Sequence, residues 1–353
     1  MLSTFRLASL GLPIRQARTA TSSTYMRLFS VKAPSDDDKT KEETKPLPFN
    51  FVDATARGIG QVIFLGSPVS GGVILGGLVI GDPYLASMAA LGTVTATGTA
   101  YIAGLTTSDG LLGYNGCLVG CAAAVFGPSA ILACATSTVV GAAASPFVAL
   151  SLKQAMGSVP QWTFAFNFVA LTSLLRTRPL SPVEGAAAEP AAIIPAYSTM
   201  DLLLSPLTGI SQIFVVESAL SGGIIVGGIA MYSPGLAAHA VVGSMIGAVA
   251  GVVAGVDTSE LTIGLWGFNS ALTSMAVGVF FVHSLPTMVL SAGGAAATAA
   301  VFGAMKTVFG AYGAPCLTLP FCVTMSACYL LRDSVPGLTL ASSPHSPENN
   351  STI

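Results

Sequence analysis

Two stretches decide the reading of this chain: GIGQVIFLGSPVSGGVILGGLVIGDP, from Gly58 to Pro83, and GISQIFVVESALSGGIIVGGIAMYSP, from Gly209 to Pro234. Laid side by side at an offset of 151, eleven of 26 positions are identical. The correspondence continues outward. Gly113-Tyr114-Asn115 matches Gly267-Phe268-Asn269 at an offset of 154, and Pro160, Thr163 and Phe166 match Pro315, Thr318 and Phe321 at 155. An offset that drifts by so little over a hundred residues marks a duplicated unit of about 150 residues. The chain therefore divides into an N-terminal segment (1–46), a first repeat (47–178), a Pro/Ala/Glu-rich linker (179–198), a second repeat (199–332) and a tail (333–353).

Both repeats are apolar. Of the 353 residues, 52% are hydrophobic and only 8% are Asp, Glu, Lys or Arg, and mean hydropathy is +0.74. A soluble globular chain carries roughly 25% charged residues, so most of this surface must face lipid. Eight of the 14 Lys and Arg precede Pro46. Net charge is −2, with no clustered basic face, which excludes a nucleic-acid partner. Six cysteines without a Cys-x-x-Cys pair and only three histidines give neither a disulfide framework nor a zinc site, so buried, inert thiols and no cofactor are expected. An intramembrane enzyme would need a nucleophile–base pair or a metal cluster, and neither is present in the sequence pattern.

Spanning the hydrocarbon takes about 20 apolar residues per helix. Pro83–Leu105, Pro128–Leu152, Pro234–Gly255 and Leu285–Phe309 are long enough. Gly58–Leu65 stops at Ser67-Pro68, Leu111–Phe126 carries Gly-Tyr-Asn-Gly, and Trp162–Leu175 and Leu317–Leu331 are short. Broken and half-length helices at matching places in two repeats point to a solute site at the midplane, where irregular backbone lines a cavity. The glycine pairs Gly71-Gly72, Gly76-Gly77, Gly222-Gly223 and Gly227-Gly228 allow close helix approach. With an odd number of spans per repeat, the two halves are inverted relative to each other.

Polar groups at bilayer depth are costly and usually functional. Those present in both halves are Gln61 and Gln212, Thr163 and Thr318, and Asn115 and Asn269, none of them ionisable. The asparagines read as caps of broken helices. The glutamines also fit as helix bridges and the threonines as hydroxyls bonded back to their own helices. As a pore wall they would supply carbonyl and hydroxyl acceptors, beside Phe64, Tyr114 and Phe268, with Leu118 and Leu272 four residues beyond the last two. Such a wall suits a small, flat, neutral solute rich in N–H donors, such as urea. A channel for ammonia, water or short amides, or a coupled carrier, competes with that reading.

At these motifs the chain resembles the urea transporters over essentially all of 47–332: the paired Gly-x-x-Gln blocks, the GYNG/GFNS pair and the Pro-x-x-Thr-x-Pro-Phe signature. Pro315–Phe321 keeps that signature, whereas the first copy has Ala165 for the second proline, and Val159 and Ala314 stand where leucine normally precedes it. The resemblance implies an all-α polytopic membrane protein of two inverted repeats, each with about five transmembrane helices plus a tilted half-spanning pore helix. It further implies a homotrimer in the lipid bilayer, with one pore per subunit. Gln61 and Gln212 would form the outer and inner urea sites with Val62 and Ile213 beside them. Phe64 with Tyr114, and Phe268, would form the aromatic slots, and Thr163 and Thr318 the waist between Leu118 and Leu272. Val215 stands where the second half would repeat Phe64, with Phe214 one position earlier.

The first 35 residues carry Arg6, Arg15, Arg18, Arg27 and Lys32 with no acid, the composition of a mitochondrial transit peptide or of a basic cytosolic tail. The expected compartment is accordingly the mitochondrial inner membrane or the plasma membrane. The Pro/Ser/Asn-rich tail from Ser334 is expected to be disordered, with the Asn349-Asn350-Ser351 sequon unused.

Overall fold

A computed structural model describes residues 47–105, 108–177 and 197–350. The basic N-terminal segment and most of the inter-repeat linker lie outside these residues.

The helix starts follow from local chemistry. Ser67 and Ser218, equivalent in the two repeats, each accept a hydrogen bond from the backbone N–H three residues on. Asp82 and Ser233 do the same, and a proline takes the first helical position after each. A short polar side chain satisfies one of the orphan N–H groups, and a proline there needs no partner. These four caps fix the start of matching helices in the two halves.

The first half contains α1 (Leu47–Gln61), α2 (Pro68–Gly81), α3 (Pro83–Ile102), α4 (Tyr114–Phe126), α5 (Ile131–Met156) and α6 (Phe164–Thr177). The second contains α7 (Thr199–Ser211), α8 (Ala219–Ala230), α9 (Pro234–Val253), a short α10 (Thr258–Thr262), α11 (Phe268–Phe280), α12 (Leu285–Gly310) and α13 (Leu319–Leu330). Among the described residues the only β pairing is an isolated bridge between Phe281 and Leu340. Neighbours repeat as well: α1 packs on α2 as α7 packs on α8, and α3 packs on α4 as α9 packs on α11. The halves meet where α2 lies on α8 and where α6 approaches α13.

Among the described residues α5, α9 and α12 can each cross a membrane by length and composition, and α7 with α8, bent by 78° at their break, is either a broken span or a re-entrant loop. The interruption expected between Gly58 and Ser67-Pro68 is present between α1 and α2, and its counterpart in the second half follows Gln212. Helix α3 has 20 residues but includes Thr93, Thr95, Thr97 and Thr99, and α2, α4, α6 and α11 are shorter apolar helices. Long exposed apolar side chains such as Leu132, Val140, Val249 and Val289 line the outside of these spans, as a lipid-facing surface requires.

The glycine pairs divide their labour. A Cβ on Gly71 would stand 1.9 Å from the Ala56 carbonyl oxygen, and one on Gly222 1.9 Å from that of Leu207. These are the places where α2 presses on α1 and α8 on α7. Gly72 and Gly223, the other member of each pair, have open space.

The tail corrects the sequence reading, for Ser334 to Asn350 is folded. Asn350 is buried, and its amide NH2 reaches the carbonyls of Gly278, Val279 and Phe281, the free end of α11. Ala341 N–H donates to Phe280 O and Val282 N–H to Thr339 O. The Glu348 carboxylate accepts from Ser233 and from Gly235 N–H at the start of α9. A composition that cannot build a core still folds here, because two helix termini offer it unpaired backbone groups.

Candidate functional site

Four non-glycine residues with left-handed backbone mark the site. Phe64 (φ 67°) and Val215 (φ 61°) each lie three residues after the repeated glutamine, and Trp162 (φ 47°) and Leu317 (φ 50°) immediately precede the repeated threonines. Such conformations cost on the order of 1–3 kcal/mol each and persist only where surrounding contacts impose them. The strain falls on the polar motifs of both repeats.

At the start of α6 and α13, Asn115 Oδ1 accepts from Phe166 N–H at 3.1 Å and Asn269 Oδ1 from Phe321 N–H at 3.2 Å. Both asparagines are 1% exposed. They are caps supplied from a neighbouring helix, as their sequence position indicated. The donor ends differ. Asn269 Nδ2 donates to Leu317 O at 3.2 Å, but the equivalent carbonyl, Trp162 O, is taken by the Tyr114 hydroxyl, and Asn115 Nδ2 has no partner. Phe268 lacks the hydroxyl that makes this difference. Gln161 donates its side-chain amide to the same Tyr114 oxygen.

Thr163 and Thr318 meet at the centre of the fold. Their hydroxyl oxygens are 2.7 Å apart, and the residues are 4% and 2% exposed. Asn167 and Cys322, each four residues beyond its threonine, complete the cluster. Asn167 Nδ2 lies 2.8 Å from Thr318 Oγ1, and Thr163 Oγ1 lies 3.1 Å from Cys322 Sγ. Sequence reading missed both. They share one repeat position, but their chemistry differs, so comparison of the halves passed over them.

The glutamines are not equivalent in their contacts. Gln61 Nε2 donates to Asp109 O at 2.9 Å, whereas Gln212 is 6% exposed and its Oε1 accepts no hydrogen bond. Val62 and Ile213 beside them are buried, as are Leu118 and Leu272. The Phe64 ring stands edge-on to Phe280 at 6.2 Å and to Phe321 at 6.3 Å. Trp162 packs edge-on against the same two rings and donates its indole N–H to Ser326. Phe268 instead rests on Phe302. Thus of the two rings touching Phe64, Phe321 closes the second Pro-x-x-Thr-x-Pro-Phe signature and Phe280 belongs to no motif, while Tyr114 and Phe268 make their ring or hydroxyl contacts elsewhere.

The charged side chains pair with one another outside these contacts. Arg57 pairs with Asp53, and Lys306 with Glu260. His239 contacts the hydroxyls of Ser274 and Ser291. Among the described residues no three His, Cys, Asp or Glu side chains converge on a possible metal site.

A helical membrane protein of duplicated design, with an uncharged polar cluster between its halves, is the class these features define. Residues 52–333 match the family described as urea transporter, and the chain belongs to that family. It is 32% identical over 308 residues to urea transporter 1 of Ovis aries and to that of Capra hircus, and 31% identical over 313 residues to that of Mus musculus. Each comparison covers 83% of this chain and 80% of the relative.

Proposed function

We propose that this chain carries urea passively across a membrane, down its gradient, past the Thr163–Thr318 pair. The observation that carries the reading is a buried polar cluster, contributed by both halves, that holds no charge. A coupled carrier normally places Asp, Glu or His in the path. Urea leaving water gives up hydrogen bonds at a cost of about 2–7 kcal/mol for each amide-like group left unpaired. Acceptors along the way offset that cost. Gln212 Oε1, buried and without a partner, supports a role as one of them.

In this reading Gln61 with Val62 and Gln212 with Ile213 serve the outer and inner urea sites. Phe64, Tyr114 and Phe268 form flat-walled slots, and Leu118 and Leu272 face the threonine waist. The two repeats have opposite orientation in the bilayer, with the shorter helices completing spans or half-spans, and three subunits assemble with one pore each. Residence in the plasma membrane or the mitochondrial inner membrane remains part of the proposal. A fluorescent fusion of the full chain, compared with one starting at Pro46, separates the two.

The test is stopped-flow light scattering on proteoliposomes. Urea should pass without dependence on a proton or sodium gradient, and glycerol, bulkier and not flat, should pass far more slowly. Flux that collapses with the proton gradient identifies a coupled carrier instead, and equal passage of glycerol removes the aromatic slot.

A further inference from the structure

We infer that Asn167 and Cys322 fix the direction in which the waist hydroxyls point, so that the waist presents acceptors, not donors, to the passing solute. The inference rests on the reading that urea crosses beside Thr163 and Thr318.

The amide orientation of Asn167 follows from two backbone partners. Thr318 N–H can only donate, and it lies 3.1 Å from Asn167 Oδ1. Thr163 C=O can only accept, and it lies 2.8 Å from Asn167 Nδ2. Oxygen and nitrogen cannot be exchanged without losing both bonds. The second N–H of the same amide then points at Thr318 Oγ1, 2.8 Å away. Thr318 accepts there, and its single hydrogen is free to go to Thr163 Oγ1 at 2.7 Å. Thr163 Oγ1 lies 3.1 Å from Cys322 Sγ, and in the inferred chain its hydrogen goes to that sulfur, a weak acceptor.

The result is a one-way chain from Asn167 through Thr318 and Thr163 to Cys322. Every hydroxyl hydrogen is used inside the wall. Each threonine oxygen keeps one lone pair uncommitted, and a solute meeting the waist finds acceptors. Urea, with four N–H donors, is favoured by that polarity. The two ends of the chain occupy the same position in the two repeats, so the direction is set by which half carries the amide. Asn167 and Cys322 are positioning residues that act through the threonines.

The test uses urea flux in proteoliposomes of the full chain. Asn167→Leu keeps the side-chain size and removes the donor, and its flux should fall about fivefold or more, the scale of one lost buried hydrogen bond. Cys322→Ala should also lose flux, while Cys322→Ser, which keeps an acceptor, should stay within about twofold of the parent. The exchange Asn167→Cys with Cys322→Asn reverses the chain and should recover flux that Asn167→Cys alone loses. Parent-like flux in Asn167→Leu, or equal flux in Cys322→Ala and Cys322→Ser, overturns the inference. If Asn167→Leu does not fold, the Cys322 pair decides alone. Thr318→Val separates the two levels. A block there with no effect at Asn167 and Cys322 sinks only the chain, whereas no block at Thr318 sinks the waist itself.

Discussion

Phe64 and Val215 share one backbone conformation, left-handed at φ 67° and 61°, in the equivalent turns that follow α1 and α7. One is an aromatic ring in contact with two others. The other is a β-branched residue in the region where a Cβ is least tolerated. The same turn is thus kept in both repeats, while the ring is present in only one.

That difference can be read out directly. Val215→Gly should raise the thermal midpoint in detergent, since relief of left-handed strain, about 1–2 kcal/mol, exceeds the entropic cost of glycine, about 0.5–1 kcal/mol. Val215→Phe should increase the preference for urea over glycerol without lowering urea flux. Unchanged selectivity would show that no solute passes Val215.

Thr318→Val keeps shape and removes the hydroxyl. Urea flux should fall about tenfold or more, equivalent to ~1.4 kcal/mol in the barrier. It also leaves the second Asn167 N–H with only Cys322 Sγ, at 3.7 Å, and takes from Thr163 Oγ1 its donor, so the fold should form with a lower melting midpoint and a stability reduced by about 1–3 kcal/mol. Thr318→Ser should restore both. Flux equal to the parent in Thr318→Val removes this residue from the path.

The glycine pairs give a contrast within one motif. Gly71→Ala and Gly222→Ala should each destabilise the protein by about 1–3 kcal/mol or more, because the added methyl meets a carbonyl oxygen that belongs to a packed helix. Gly72→Ala and Gly223→Ala meet nothing and should be neutral or stabilising by up to about 1 kcal/mol, the helix preference of alanine. Detergent melting curves of the four variants check the order.

The folded tail makes its anchoring pH-dependent. Burial pushes the Glu348 carboxyl up, but hydrogen bonds from the Ser233 hydroxyl and the Gly235 amide outweigh it and hold the group below the usual carboxylate range. A lowered folded-state value means that the ionised carboxylate stabilises the docked tail near neutral pH. That contribution is lost as pH falls through the folded value. Limited proteolysis should therefore cut between Val335 and Asn350 faster at acid pH, and Glu348→Gln should show the faster rate already at neutral pH. A cleavage rate independent of pH and of this substitution would assign the docking to Asn350 and the backbone alone.

The helix breaks were legible because Ser-Pro, Asp-Pro and the Gly-x-x-Gln blocks carry their own backbone chemistry. So were the Asn115 and Asn269 caps, since the duplication singled them out and an uncharged amide before a short helix has few other uses. Asn167 and Cys322 escaped because a repeat exposes only what both copies keep. The Phe280 and Phe321 contacts of Phe64 escaped for another reason: they depend on how α1, α11 and α13 converge, which no local spacing encodes. Composition misled at the tail, where a few bonds to helix termini count for more than the lack of apolar residues.

The cluster of amides, hydroxyls and hydrocarbon rings around Thr163 and Thr318 has one electrical consequence. Moving an elementary charge through 100 mV involves about 2.3 kcal/mol, but an uncharged solute passing uncharged walls moves none. Depolarising or energising the membrane should therefore leave urea flow untouched, and an open subunit should carry no current.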